Sequence, residues 1–244
     1  MRHEPAVRGY AVTHPPGAAV PPQPPGWDQL VYARSGVVTV ETAEGAWVVP
    51  PHRAVWVPAG QRHRMVLTGR TSVRNLYFRS GLLDLADTCH AIDVPPVLRE
   101  LVVHAVLAAP LHDASPRDMR LVGVIGDLLE TIPVAPLQLP FPRDPRARAV
   151  AEMMRADPAS SASVSELAHS AGASRRTIER CFRNEVGTSV GLWRQRMRVL
   201  ASLQFLASGS SVTDAAMSVG YSTSSAFGAM FLRETGTSPG RYFQ

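Results

Sequence analysis

One pattern written twice constrains this chain more than any other feature. Val164-x2-Leu167-Ala168-x2-Ala171-Gly172 returns as Val212-x2-Ala215-Ala216-x2-Val219-Gly220, 48 residues later. Phe182-x2-Glu185-x-Gly187-Thr188-Ser189 returns as Phe231-x2-Glu234-x-Gly236-Thr237-Ser238 at an offset of 49, so one residue is inserted near Tyr221. Each copy opens on a capping box, Ser163-x2-Glu166 or Ser211-x2-Asp214, which marks a helix start. An apolar stripe follows, then a glycine suited to a sharp turn, then a second helix with its own anchors: Ile178 and Phe182, or Phe227 and Phe231. Small residues at 168 and 216 let the two helices of a unit approach closely. The pattern predicts helix-turn-helix units over about 164–185 and 212–235. Leu192, Trp193, Arg196, Leu200, Leu203 and Leu206 share one long helix between them, ending at Ser208-Gly209.

Charge separates this region from the rest. All 25 basic residues of the 244 are arginine, and the net charge is +5. Residues 1–143 hold 13 Arg against 12 acids, whereas residues 144–244 hold 12 against 8. The excess sits with the doubled unit, which points to a polyanionic partner. The absence of lysine matches GC-rich codon usage and carries no mechanism.

The N-terminal part reads differently. Seven prolines in residues 1–26 exclude a helix, and no apolar core there suggests a secretory signal. From Trp27 to Phe78, short β-branched and aromatic runs (Leu30–Ala33, Val37–Thr42, Trp47–Val49, Val55–Val57, Met65–Thr68, Val73–Phe78) alternate with turn signals such as Ser35-Gly36 and Thr68-Gly69. This spacing predicts an antiparallel barrel or sandwich. Helices are expected over Leu82–Ile92, Pro95–Ala109 and Arg117–Thr131. A proline-rich linker is expected over 132–145. The fold class is therefore α+β in two domains, 1–131 and 146–244. No apolar run is long enough for a membrane span. Cys89 and Cys181 form no disulfide framework, so the cytoplasm is the expected location. Cys181, beside Phe182, reads as buried packing.

The stretch Gly220-Tyr221-Ser222-Thr223-Ser224-Ser225-Ala226-Phe227-x3-Phe231-x4-Gly236-Thr237-Ser238-Pro239-x-Arg241-Tyr242-Phe243 resembles the signature of the AraC/XylS family of bacterial transcription regulators. The resemblance spans about 146–243. One departure is Leu232, where many members carry a basic residue. The resemblance implies that the second helix of each unit enters a major groove of promoter DNA. In unit one that helix begins at Ser174 and exposes Arg175, Arg176 and Arg180, with Thr177 alongside. Arginine binds guanine O6 and N7 bidentately, so Arg176 and Arg180 are the leading base readers. Arg183, Arg194 and Arg233 are candidate DNA contacts; for the first two, phosphate is the expected partner. Unit two opens with Ser222, Thr223, Ser224 and Ser225, which offer hydroxyls and no long donors, so it is expected to read less sequence.

The strand-rich part resembles a cupin. Gly17-x5-Gln23-x-Pro25-x3-Gln29-x6-Gly36 keeps the spacing of the first cupin pattern, and Pro58-x-Gly60-x2-His63 that of the second. The metal ligands of a cupin would fall at 23, 25, 29 and 63, here Gln, Pro, Gln and His. Only His63 ligates well and His52 does not rebuild the set, so no metal, cofactor or catalytic residue is expected. Trp27, Tyr32, Trp56, His63, Met65 and Tyr77 are candidates for a small-molecule effector pocket, or simply fill the core. The sensor domain and its helices also offer a homodimer surface, and RNA polymerase is a partner if the protein activates. Two alternatives compete with a sequence-specific regulator: a metal-dependent cupin enzyme fused to a DNA-binding tail, and a structural protein that binds DNA without preference.

Overall fold

A computed structural model describes residues 4–16, 18, 20–129 and 138–243. The chain divides into two compact units, residues 1–42 with 47–134, and residues 43–46 with 135–244. The first unit is built from β1 (Val7–His14), β2 (Trp27–Glu41), β3 (Gly45–Val49), β4 (Arg53–Val57), β5 (Arg64–Arg79), β6 (His90–Asp93), α1 (Pro96–Ala108) and α2 (Pro116–Leu128). β1, β5, β2 and β3 are neighbours in that order, and β4 pairs with both β2 and β6. The ladders β1–β5, β2–β5, β2–β4 and β4–β6 are all antiparallel.

Two apolar layers sandwich the bent sheet. Leu30, Tyr32, Ala54, Trp56, Leu76 and Phe78 face Leu98, Val102 and Ala105 of α1 and Val122 and Ile125 of α2. Val31, Ala33, Val55, Val57, Met65, Leu67 and Val73 fill the concave interior with Trp47 and Val49. Alternation along each strand assigns these faces. In β2 the alternation slips: Val31 and Ala33 point inward, and so do Val38 and Val40. The register shifts between Ala33 and Val37 explain this, because an extra residue in one strand inverts the side-chain phase. Gly36 sits there with φ +78°, and a Cβ on it would lie 2.6 Å from Thr71 Oγ1.

Several expectations are corrected. Ser35-Gly36 and Thr68-Gly69 do not end strands; they lie within the long strands β2 and β5. β1, hidden among the prolines, pairs with β5 from Val7 to His14. Leu82–Ile92 is not a helix. Leu82, Leu83 and Leu85 pack onto the helix-side core from turns. Residues 90–93 pair with β4, where the strand edge supplies the backbone partners a helix would have supplied. α1 and α2 form as expected, with Ser115 Oγ accepting from Asp118 N; residues 130–131 lie outside the described residues.

The second unit contains β7 (Gln138–Pro140), α3 (Pro145–Ala156), α4 (Val164–Ser170), α5 (Arg175–Cys181), a π-helical turn (Phe182–Val186), α6 (Val190–Ala207), α7 (Val212–Ser218) and α8 (Ser224–Thr235). Of the expected linker over 132–145, residues 132–137 lie outside the described residues, and residues 138–141 pack into this unit. Pro140 O accepts from Trp193 Nε1 at 2.7 Å, and buried Phe141 lies against the Trp193 ring beneath Arg148 and Arg155. Residues 43–46, which run from the tip after β2 into the first two residues of β3, belong here too: Ala43 O accepts from Arg148, and Glu44 O from Phe141 N. Proline content marked the segment as non-helical, but Phe141 gave it an apolar anchor.

The repeat is faithful in three dimensions. Ala168 and Ala216 are buried where the paired helices meet, as are Ile178, Phe182, Phe227 and Phe231. Gly187 and Gly236 end their helices at φ +75° and +74°. The capping boxes differ. Glu166 reaches back to Ser163 N, whereas the shorter Asp214 takes the Ser211 hydroxyl instead.

Candidate nucleic-acid interface and sensor cleft

The two candidate reading helices are α5 and α8. Ser174 Oγ caps α5 by accepting from Thr177 N at 3.2 Å, and Thr223 Oγ1 caps α8 by accepting from Ala226 N at 3.2 Å. The caps correct the opening of unit two: Ser222 lies one residue before the cap, and Thr223, not Ser222, matches Ser174. Aligned on their caps, Arg175, Arg176, Arg180 and Arg183 correspond to Ser224, Ser225, Ala229 and Leu232.

The arginines of unit one have different circumstances. Arg175 is tied to Glu179 at 2.8 Å, one turn along the helix. Arg176, Arg180 and Arg183 are exposed and have no ion pair or hydrogen-bond partner among the described residues. They recur at i, i+4 and i+7, so they share one face. Thr177 is half-buried and shares a hydrogen bond with Ser174 at 3.0 Å. Arg194, expected to meet phosphate, is half-buried; burial and the charge of Arg198 hold its guanidinium below its usual range, and its Nη2 is buried with no acceptor among the described residues. A phosphate role requires it to swing outward.

In unit two, Ser222, Thr223, Ser224 and Ser225 are all exposed. Arg233 is engaged with Gln195 at 3.3 Å and lies 3.6 Å from the buried Glu234 carboxylate. Glu234 also binds Arg196 of α6 at 3.1 Å, which fixes α8 on the long helix. Its counterpart Glu185 accepts instead from the backbone N–H groups of Arg143 and Asp144 and so holds the start of α3. The Cys181 thiol is buried and pushed up, first by burial and then by Asp144 and Glu185, as expected of a packing residue.

Sequence reasoning missed Arg198. From α6 it donates to Pro158 O at 2.8 Å, Ser160 O at 2.9 Å and Gly220 O at 3.1 Å. It thereby ties the approach to unit one to the turn of unit two. An arginine in a long helix gives no signal that its head is turned inward.

In the first unit, the six candidate pocket residues do not converge. Tyr32 and Trp56 belong to the helix-facing layer, Trp56 against Phe78. Met65 lies in the concave interior, and Tyr77 is brought beside it through Gln29, whose Nε2 is 3.5 Å from Tyr77 Oη and 3.8 Å from Met65 Sδ. Trp27 is covered by the Arg8 guanidinium at 4.2 Å. His63 lines a cleft of about 420 Å³ with Pro22, Gln23, Pro24, Pro25, Gly60, Gln61 and Arg62. Three of the four cupin ligand positions, 23, 25 and 63, thus do meet at one cleft; Gly17, which opens the frame, lies outside the described residues. Two amides, a proline and one imidazole are a poor donor set for a transition metal. No cluster of three His, Cys, Asp or Glu suited to a metal occurs among the described residues. Asn75 was also missed: wholly buried, it accepts from Tyr32 N and donates to Met65 Sδ, which stations a second amide in the interior.

Comparison with known proteins places these units. Residues 5–132 match the AraC-like ligand binding domain family, and residues 167–244 match a helix-turn-helix domain family. The HTH-type transcriptional regulator NimR of Escherichia coli (strain K12) is 31% identical over 214 residues, 88% of this chain and 78% of that protein. The HTH-type transcriptional regulator RipA of Corynebacterium glutamicum is 35% identical over 113 residues, 46% of this chain and 33% of that protein. Among solved structures, the DNA-binding domain of AdpA in complex with a target DNA is 32% identical, with a TM-score of 0.37, covering 41% of this chain and 90% of that one. Among the described residues no helix is long and apolar enough to cross a membrane. With a ligand-binding domain matched over just over half its length and a helix-turn-helix domain behind it, the chain belongs to the AraC-like family of transcription regulators and is a DNA-binding regulator.

Proposed function

We propose that this regulator reads two successive major grooves on one face of promoter DNA, and that the two units do unequal work. The observation that carries this reading is the face formed by Arg176, Arg180 and Arg183, against Ser225, Ala229 and Leu232 at the matching positions. Arg176 and Arg180 read base edges, Arg183 meets phosphate, and the hydroxyls of Ser222, Ser224 and Ser225 make shorter-range contacts. Arg175 and Arg233 keep intramolecular partners and orient their helices, with DNA as a shared acceptor. The 18 residues of α6 span about 27 Å at 1.5 Å per residue. That is the scale of the ~34 Å separating successive major grooves on one face.

The N-terminal domain senses a small molecule and controls DNA binding without catalysis, in the cytoplasm, with the homodimer as the working form and RNA polymerase as the partner at activated promoters. The test is titration of a labelled duplex from the region upstream of the protein's own gene, and of a scrambled duplex, across salt concentrations. A sequence-specific regulator keeps an affinity ratio of roughly 10³ or more at physiological salt. Two parallel lines with a ratio near one identify a nonspecific binder governed by counterion release alone.

A further inference from the structure

Three of the four positions that a cupin gives to metal ligands, 23, 29 and 63, carry buried hydrogen-bond acceptors with no donor among the described residues. Gln23 commits its amide nitrogen to the carbonyls of Trp27 and Val57, so its Oε1 is left over, and that atom is buried with no partner among the described residues. His63 Nδ1 lies 3.2 Å from Gln61 O. A carbonyl only accepts, so Nδ1 carries the proton and Nε2 presents a lone pair. Burial holds the ring below its usual pKa and keeps it neutral, and Nε2 too is buried without a partner among the described residues. Gln29 stands opposite Val57, the residue whose carbonyl Gln23 binds, in the β2–β4 register. Its nitrogen faces Tyr77 and Met65; its Oε1, outside the cleft lining, is also buried with no partner among the described residues.

Buried acceptors in this state cost free energy until something donates to them. A carboxylate brings only more lone pairs. An organic cation finds no acidic side chain among the cleft residues, and Arg62 stands at the rim. Pro22, Pro24 and Pro25 offer an apolar wall for the body of a ligand. We infer that this cleft takes an uncharged small molecule with an apolar body and one edge of N–H or O–H donors, which Gln23 Oε1 and His63 Nε2 accept. The inference rests on the reading of this domain as the effector sensor and names the chemistry of that effector.

The test uses the full-length protein and three probes of similar shape: benzamide, which donates; methyl benzoate, which only accepts; and benzoate, which is anionic. Calorimetric titration is expected to give benzamide roughly tenfold tighter binding than the other two, the size of one hydrogen bond gained at a buried acceptor. Gln23→Leu and His63→Phe are each expected to erase that preference. Gln23→Leu carries the test alone if His63→Phe does not fold, because Gln23 sits at the half-exposed mouth. Benzoate or methyl benzoate binding as well as benzamide, a preference that survives Gln23→Leu, or no binding by any probe overturns the inference. DNA affinity measured on the same samples separates the two claims. Benzamide binding that leaves DNA affinity unchanged upholds the donor chemistry and refutes the sensor reading. Benzoate binding that shifts DNA affinity refutes the donor chemistry and upholds the sensor.

Discussion

Replacing Arg198 by methionine removes one guanidinium that holds two loops at once. Three carbonyls lose their donor: Pro158 and Ser160 ahead of α4, and Gly220 at the turn between α7 and α8. A hydrogen bond to a charged group contributes about 1.5–3 kcal/mol when buried, but Arg198 is half-buried and water reaches part of the site, so about 1 kcal/mol each is the better figure. The loss is then about 3 kcal/mol, with a smaller contribution from the Tyr221 ring 5.9 Å below. For a unit of this size each kcal/mol moves the midpoint by ~4–8 °C, so the C-terminal transition falls by roughly 12–24 °C in scanning calorimetry. Arg198→Lys keeps the charge on a compact ammonium without the guanidinium fork and lands between the two. Methionine keeps the aliphatic bulk in α6, so the comparison isolates the polar head. A methionine variant whose C-terminal transition lies within ~2 °C of the wild type refutes the claim that Arg198 joins the two units.

Three further outcomes follow from local geometry. Gly220→Ala is expected to cost clearly more than Gly172→Ala in chemical denaturation: both glycines have positive φ, but an added Cβ at 220 meets Ala159 and Arg198 Nη2 at 2.9 Å, while at 172 it meets open space. Equal costs contradict the close approach; for Gly172→Ala alone the backbone term is about 1 kcal/mol. Ser174→Ala removes the cap of α5 and is expected to cost ~1 kcal/mol by denaturant titration, with no loss if the cap is irrelevant. His52 titrates at about 4 in the folded domain, lowered first by burial and then by Arg53, against an ordinary 6.5. The unfolded chain therefore binds more protons between these values. The N-terminal domain keeps this stability above pH 6.5 and loses it as pH falls toward 4. His52→Gln is expected to flatten that part of the stability curve, and an unchanged slope in the variant argues against a buried neutral ring.

What the sequence revealed follows from which interactions repeat. The helix-turn-helix units were legible because the same caps, glycines and phenylalanines occur twice, so each copy checks the other. The reading faltered where one residue type serves two purposes. Gly36 marks a turn by composition, yet in β2 it sits at a bulge that inverts the side-chain phase. Leu82, Leu83 and Leu85 suggest a helix, but the following residues complete a β ladder with β4. Tyr32 and Trp56 looked like pocket residues beside Met65 and Tyr77. Their place on the opposite face depends on strand phase, which one inserted residue reverses. Arg198 and Asn75 act through inward-turned polar groups, and only tertiary contacts reveal that. The cupin frame fared better: its spacing brought Gln23, Pro25 and His63 to one cleft although its ligand chemistry is gone.

The unequal division of DNA reading between α5 and α8 is tested most directly by selecting binding sites from a random duplex library with the wild type, Arg176→Ala and Ser225→Ala. The account predicts that Arg176→Ala flattens base preference at one position in the half-site read by unit one, a discrimination of about 1–3 kcal/mol. It predicts that Ser225→Ala leaves every position essentially as selective as before. An Arg176→Ala protein that selects the wild-type sequence unchanged, or a Ser225→Ala protein that loses selectivity instead, contradicts it.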